Sequence, residues 1–285
     1  METNIGAFLR TRRDRITPDQ VGLPVGGTRR RVPGLRREEV ALLAGVSPDY
    51  YVRLEQGRTA HVSDQVLCAV ARALSLSDVE TEHLRNLVRP SDAASSSHAP
   101  RSAPGTDEPL ARLLDTMVDV PALLLDARMD ILAANAAAEA VFEVSGMAQP
   151  PNSARQLFLS PDARTRYGNW QAAAAEIVAH LQLLAGRWPD DAQLTSLIGE
   201  LAIRSNEFRR LWASGDVLEK RIGVVRLNHQ VAGSLEFDYQ VLTVPARPDR
   251  SLLVYLPRPG TATADALQML LSWVAKAQRG STTAH

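Results

Sequence analysis

The segment EEVALLAGVSPDYYVRLEQGR, residues 38–58, carries two short helical patterns joined by a tight turn. Apolar residues at helical spacing predict a first helix from about Arg36 to Leu43. The side chains predicted to be buried by this helix are Val40, Leu43 and Ala44. Gly45 follows as a helix stop, because glycine adopts the left-handed conformation that ends many helices.

The second pattern begins at Ser47, whose side chain is suited to cap a helix. Pro48 occupies the first helical turn, where its missing N–H costs nothing. Tyr51 and Leu54 lie three residues apart and are predicted to face the core. Residues 38–58 therefore predict a helix, a turn and a second helix.

The charge of the chain is unevenly distributed around this segment. The 285 residues contain 32 basic and 32 acidic side chains, so the formal net charge is zero. Residues 1–58 hold eleven arginines and seven acidic residues, a net charge of +4, whereas residues 107–285 come to −3. A local basic region can attract a polyanion whatever the total charge.

Composition excludes several classes of protein. With 45% hydrophobic and 22% charged residues, the chain is typical of a folded globular protein. No run of 18 apolar residues is present, so no membrane span is expected. The basic start is not a signal peptide, and a single cysteine, Cys68, excludes a disulfide framework. We predict a cytoplasmic protein in which Cys68 is an inert, buried thiol.

A linker of Pro, Ser, Ala and Gly at residues 90–106 divides the chain. Residues 1–89 are predicted to form an all-α domain of five short helices. Residues 107–280 are predicted to form an α+β domain, with a strand hairpin, a long helical stretch at 153–213, three antiparallel strands and a closing helix.

Residues 42–57 resemble the helix-turn-helix of the Xre (phage-repressor-like) family. The fuller string LRREEVALLAGVSPDYYVRLEQGR, residues 35–58, resembles actinobacterial regulators that pair this motif with an MmyB-like ligand-binding domain. The resemblance implies that the second helix enters the DNA major groove. The positions that would face bases are Ser47, Pro48, Asp49, Tyr50 and Arg53.

Within that helix, Arg53 could pair with guanine. Asp49 could accept from cytosine or could orient Arg53, and Pro48 offers only apolar contact. A further group of arginines is interpreted as phosphate contacts, which position the protein without reading sequence; the alternative is a solvated loop. This group is Arg29, Arg30, Arg31, Arg36 and Arg37.

The remainder resembles the MmyB-like domain in four stretches, residues 131–142, 155–170, 186–217 and 228–242. The resemblance implies a PAS-like fold, a small antiparallel sheet with helices over one face, that binds a fatty-acid-like or other apolar small molecule. Two positions depart from the family pattern. Ala134 precedes Asn135 where the family usually has Trp, and Gln230 follows His229 where Pro is usual, so a relative's ligand should not be transferred.

Aromatic side chains are concentrated after residue 140, and small-molecule pockets have aromatic and apolar linings with few polar groups. The alternative is that these rings only fill the core. His229 could bind a ligand, sense pH or serve the structure, and the run around Phe208 and Trp212 could face a partner subunit. The pocket candidates are Asn135, Phe142, Phe158, Tyr167, Trp170, Phe208, Trp212, His229 and Tyr239.

No catalytic or metal-binding pattern is recognised among the residues, so no enzyme, cofactor or metal is predicted. The prediction is a homodimeric, DNA-binding transcription regulator controlled by a small apolar ligand. Two alternatives remain: a C-terminal domain that binds a protein partner and no ligand, or a small-molecule enzyme attached to a DNA anchor.

Overall fold

The computed structural model describes residues 4–23, 34–59, 62–88, 108–216, 222–245 and 247–282. The chain divides into two compact units. Unit 1 contains residues 1–99, 178–195 and 210–219, and unit 2 contains residues 100–177, 196–209 and 220–285. The predicted linker, residues 90–106, lies outside the described residues.

All five helices predicted for the first ninety residues are present in unit 1. They are α1 (Asn4–Arg15), α2 (Arg37–Ala44), α3 (Pro48–Glu55), α4 (Asp64–Ala73) and α5 (Asp78–Val88). A short 3-10 helix, Pro18–Val21, lies between α1 and α2.

The predicted helix boundaries of unit 1 are confirmed by hydrogen bonds. Ser47 Oγ accepts from the backbone N–H of Tyr50 at 3.2 Å. Gly45 ends α2 with a φ of 66°, in the left-handed region. At the start of α5, Ser77 and Glu80 each accept the other's backbone N–H, at 3.3 and 2.8 Å, which is a complete capping box.

Burial in unit 1 agrees with the predicted core except at two residues. Tyr51 and Leu54 are fully buried, as predicted. The prediction for Leu43 is wrong: this side chain is 36% exposed, because the buried face of α2 contains Ala41 instead. The prediction for Cys68 is also wrong, since this residue is only partly buried. Its Sγ accepts a hydrogen bond from Arg85 Nη2 at 3.5 Å.

The second region alternates strands and helices in the predicted order. Its elements are α6 (Glu108–Thr116), β1 (Ala122–Asp126), β2 (Ile131–Ala134), α7 (Ala136–Phe142), α8 (Ser153–Leu159), α9 (Ala163–Arg166), α10 (Trp170–Arg187), α11 (Ala192–Arg204), α12 (Asn206–Ala213), β3 (Ile222–His229), β4 (Gly233–Val244), β5 (Arg247–Pro257) and α13 (Ala262–Thr282). The ends of α10 and α12 and the start of α11 belong to unit 1, and the other residues to unit 2.

The five strands of unit 2 form one antiparallel sheet in the order β2-β1-β5-β4-β3. Successive side chains of a strand point to opposite faces of the sheet, and all five residues of β1 are buried. Both faces of the sheet are therefore covered at β1. Leu123 packs in a core with Phe142 of α7 and Leu267 of α13. Leu124 packs on the opposite face against Leu114 of α6. The second region is therefore α+β, with α6 added on the sheet face that the resemblance leaves open.

Candidate nucleic-acid interface and ligand-binding region

Helix α3 presents one exposed face and one buried face. Pro48, Asp49 and Arg53 are exposed. Tyr51 and Leu54, on the other side of the helix, are buried in the core of unit 1. Three of the five positions predicted to face bases therefore lie together on the surface; Ser47 is also exposed but its hydroxyl caps the helix, and Tyr50 is half-buried.

The buried end of α3 is held by a charged network that the sequence interpretation missed. Glu55 is buried, and Arg37 of α2 donates to its Oε1 from Nε at 3.1 Å and from Nη2 at 2.7 Å. Arg10 and Arg13 of α1 place their Nε atoms 3.8 and 3.7 Å from the same carboxylate. Glu55 thus joins three helices, and the spacing of four residues from Tyr51, which puts both on the inner face, is the signal that could have identified it.

The Glu55 network changes the electrostatics around it. The hydrogen bond and charge of Glu55 raise the pKa of Arg37. Burial, and then the charge of Glu55, raise the pKa of Tyr51. Both groups therefore keep their protons firmly, and Arg37 remains a charged partner of the carboxylate.

The predicted phosphate-binding arginines fall in different places. Arg37 is engaged with Glu55, although half of its side chain is exposed. Arg36 precedes α2 and places Nη1 3.4 Å from Glu38 Oε1, also with a partly exposed side chain. The other three, Arg29–Arg31, lie outside the described residues.

Asn135 of unit 2 is 2% exposed and has its hydrogen-bonding groups filled by backbone. Its Oδ1 accepts from the N–H groups of Ala138, which caps α7, and of Ala122 in β1, at 2.8 and 3.1 Å. Its Nδ2 donates to the carbonyls of Met117 and Val120 at 2.7 and 2.8 Å. Asn135 therefore joins the start of α7, the first strand and the segment that follows α6.

One group of predicted pocket residues lies between the sheet and its helices. The rings of Phe142 and Tyr255 are 4.5 Å apart, and those of Tyr239 and Tyr255 are 6.3 Å apart. Tyr167 packs against the same core. Tyr239 donates from its hydroxyl to Glu176 Oε2 at 2.5 Å, and burial followed by this hydrogen bond raises the Tyr239 pKa.

A second group forms a separate aromatic cluster of Phe158, Trp170 and Phe208. The ring of Phe158 lies edge-on to Trp170 at 5.8 Å and to Phe208 at 5.2 Å. Trp170 Nε1 donates to the Leu157 carbonyl at 3.0 Å. Trp212 belongs to unit 1, where its carbonyl accepts from Gln182 Nε2 at 2.5 Å. The nine pocket candidates are thus distributed over several places.

His229, at the end of β3, has partners for both ring nitrogens. Nδ1 accepts from the N–H groups of Val231 and Ala232 at 3.2 and 3.0 Å, so Nε2 carries the proton and donates to the Ala140 carbonyl at 3.1 Å. The ring also borders a polar, open cleft of about 360 Å³. The lining residues are Glu143, Asp162, Thr165, Arg166, Asn228, His229, Gln230, Gly233 and Ser234.

Comparison with known families assigns both halves of the chain. Residues 4–84 match the profile of a helix-turn-helix domain. Residues 107–270, more than half of the chain, match the profile described as the MmyB-like transcription regulator ligand binding domain. The chain belongs to this family. A search of curated proteins finds no significant match to the chain.

As an MmyB-like regulator, the protein combines a DNA-binding domain with a ligand-binding domain, and both families are those of transcription regulators. Among the described residues, no group of three or more His, Cys, Asp or Glu side chains could hold a metal ion. In the same part of the chain, no helix is long and apolar enough to cross a membrane.

The departure from the family pattern at Ala134 is local. Ala134 ends β2 and packs at the edge of the core that contains Phe142. Asn135, which the family pattern retains, makes the hydrogen bonds that join β1 to α7. The small side chain at position 134 therefore lies beside an intact polar anchor.

Proposed function

We propose that this MmyB-like regulator is a cytoplasmic, sequence-specific DNA-binding protein that reads the major groove with α3 and responds to a small apolar ligand. The exposed face of α3 carries the first part of this proposal. Pro48, Asp49 and Arg53 share that face, while Tyr51 and Glu55 secure the opposite one. A helix held in this way can present its N-terminal side chains to base edges.

The test of α3 uses operator duplexes selected from a random pool by the wild-type chain. Replacement Arg53→Ala should lower discrimination at a single base pair by about 1–3 kcal/mol, because a bidentate contact to guanine is lost. Arg72→Ala is the matched control, since Arg72 is an exposed arginine on α4, outside the motif. Equal base preferences of the Arg53 variant and wild type would disprove the assignment of α3.

The arginines at 29–31 are proposed to bind phosphates. Replacement Arg30→Ala should weaken binding to all duplexes alike and reduce the slope of log affinity against log salt by about 1. Fluorescence anisotropy over a salt series measures both effects. A loss confined to one operator sequence would contradict a phosphate contact.

The ligand is proposed to be apolar because the interior of unit 2 is rich in aromatic rings. The cluster of Phe158, Trp170 and Phe208 and the core around Tyr255 supply apolar surface with few polar groups, the composition of small-molecule sites. Thermal unfolding of the full chain with straight-chain fatty acids of increasing length tests this. A melting temperature that rises with chain length supports the proposal, and unchanged melting with all of them contradicts it.

A second candidate function for the C-terminal half is self-association or partner binding, favoured by the exposed face of α13. Met269 and Trp273 lie one turn apart and are 73% and 60% exposed. Exposed tryptophan is typical of interface centres, and two-fold symmetric operators require dimers. Sedimentation equilibrium of wild type and Trp273→Ser should show a dimer that the substitution weakens. A wild-type monomer at all concentrations would contradict the homodimer.

A further inference from the structure

The turn Ser214–Asp216, which follows α12, is bonded to α1 within unit 1. Asp216 Oδ1 lies 2.5 Å from Arg15 Nη1 and 3.4 Å from Arg12 Nη1. Two carbonyls of the turn add to this, because that of Gly215 accepts from Arg12 at 2.7 Å and that of Ser214 accepts from Arg15 at 3.0 Å. The turn therefore occupies both arginines through four hydrogen bonds.

The arginine side of this contact is built into the core of unit 1. Arg12 is buried, and its guanidinium stacks on the Phe8 ring at 4.9 Å and places Nε 2.8 Å from Glu80 of α5. Burial is the largest influence on the pKa of Arg12 and lowers it. Burial opposes ionisation of Asp216, but its hydrogen bonds from Arg15 and Ser214 outweigh this and lower its pKa.

The turn is equally well attached to α12. Ser214 Oγ is within hydrogen-bonding distance of both the Leu211 carbonyl and Asp216 Oδ2, at 2.7 and 2.9 Å. Gly215 has a φ of 67° and its N–H donates to the Trp212 carbonyl. A displacement of the end of α12 must therefore move the Asp216 carboxylate as well.

The other end of α12 carries Phe208, which is fully buried against Phe158 in the aromatic cluster proposed above to receive the ligand. A helix of eight residues thus has an aromatic anchor near its start and an ionic anchor just beyond its end. Residues 107–270 are those matched by the ligand-binding profile, and α1 lies in the helix-turn-helix match.

A second close approach in unit 1 accompanies the turn. Gly186 of α10 leaves no room for a side chain, because a Cβ there would lie 2.3 Å from Cε1 of His83. His83, on α5, is buried with its ring edge-on to Phe8 of α1 at 5.0 Å. The turn is therefore bonded to α1 and Gly186 packs on α5, and these two helices contact each other through Phe8 and His83.

We propose that the Ser214–Asp216 turn is a latch through which the ligand-binding region controls the DNA-binding helices. While the latch is closed, Asp216 neutralises Arg15 and fixes α1; when the ligand displaces Phe208 and α12 moves, Asp216 leaves both arginines. This inference rests on the proposed ligand response. Its physical basis is that only a change in differential contacts can shift a conformational equilibrium.

The test compares two full-length variants that remove the same charge. Asp216→Ala opens the latch, whereas Asp190→Ala removes an exposed carboxylate elsewhere in unit 1. Hydrogen exchange of the α1 amides should be about fivefold faster in the Asp216 variant and unchanged in the control. Affinity for a mixed-sequence duplex should rise about threefold more in the Asp216 variant than in the control.

A second pair of variants tests the neighbouring contact. Gly186→Ala should speed exchange in α5, because the new methyl group displaces His83. Gly199→Ala is its control, since a Cβ at this position of α11 meets no atom within 4 Å. A Gly186 variant that exchanges like the Gly199 variant would contradict the close packing on which the latch depends.

The outcomes separate the latch from the proposed function. Equal exchange and equal duplex affinity of the Asp216 and Asp190 variants would overturn the latch, as would faster exchange with no change in affinity. If the wild-type chain bound no duplex at all, the proposed DNA binding would fail, while the exchange comparison would still support or overturn the hold on α1. Faster exchange together with the larger gain in affinity supports the latch.

Discussion

Glu55 and Asn135 occupy comparable places in the two halves of the chain, yet they work by different physical means. Each is a buried polar side chain that joins three segments. Glu55 does so with charge, at distances from 2.7 to 3.8 Å from three arginines. Asn135 does so with neutral hydrogen bonds to backbone groups on its own neighbouring segments.

This difference predicts how the stability of each region depends on pH and salt. Salt screens the attraction between a charged anchor and its partners, whereas the hydrogen bonds of an amide anchor involve no net charge. His83 is a further buried ionisable group in unit 1, near Arg12. We therefore expect the DNA-binding helices to be more sensitive to pH and salt than the strands around Asn135.

The largest effect is expected from Asn135→Ala, which should lower the free energy of unfolding by about 4 kcal/mol. The substitution removes the cap of α7 and leaves the Ala122 N–H and two carbonyls without partners. Urea unfolding followed by tryptophan fluorescence measures it. Asn206→Ala, at an exposed position, should change the value by less than about 0.5 kcal/mol. Equal urea midpoints for the two variants would show that the hydrogen bonds of Asn135 do not stabilise the segments that it joins.

The next largest effect is a loss of stability at low pH, which is caused by protonation of His83. Burial, followed by the charge of Arg12, lowers the pKa of His83 from 6.5 to about 4. Because the pKa of His83 is lower in the folded state than in the unfolded chain, protonation favours unfolding. The free energy of unfolding is therefore highest above pH 6.5 and decreases as the pH falls to 4. At about 1.4 kcal/mol per pKa unit, the loss is about 3 kcal/mol.

The pH effect is measured by urea unfolding of wild type and His83→Gln at pH 7 and pH 4, followed by circular dichroism. The wild type should lose more stability between the two pH values than the variant, which has no imidazole to protonate. The same loss in both proteins would show that carboxylates elsewhere account for the acid sensitivity.

A smaller effect is expected from Glu55→Gln, about 2 kcal/mol of destabilisation. Removing one partner of a buried ion pair leaves the others uncompensated, but two of the arginines are nearly half exposed, so water screens part of the loss. Glu38→Gln is the matched control, because Glu38 is an exposed acid on α2 that faces Arg36. If the Glu55 variant unfolds like the Glu38 variant, charge does not anchor α3.

The fold was predictable where local signals agree with packing. Ser47, Gly45 and the Ser77–Glu80 pair define helix ends through bonds within a few residues, and all of them form as predicted. The alternation of apolar residues after position 222 likewise marks three strands that pair as neighbours. Such elements require no knowledge of distant residues.

Other features depend on distant partners and could not be derived from spacing. No local pattern shows that Glu55, eighteen residues away, accepts hydrogen bonds from Arg37. The bonds of Asn135 to the carbonyls of Met117 and Val120 likewise depend on the tertiary fold. The sequence predicts a buried Leu43 because its apolar character does not reveal which face of α2 is covered by α4.

The adjacency of Arg53 and Glu55 has a consequence for genetics. If α3 reads the operator as proposed, substitutions at either residue should be recovered together in a selection for weakened regulation, since both would lower operator occupancy. The two substitutions would nevertheless act by different means, because Arg53 is exposed and Glu55 is buried and supports the fold. Cellular protein abundance should separate them: variants of Arg53 would accumulate normally, whereas variants of Glu55 would be depleted by proteolysis.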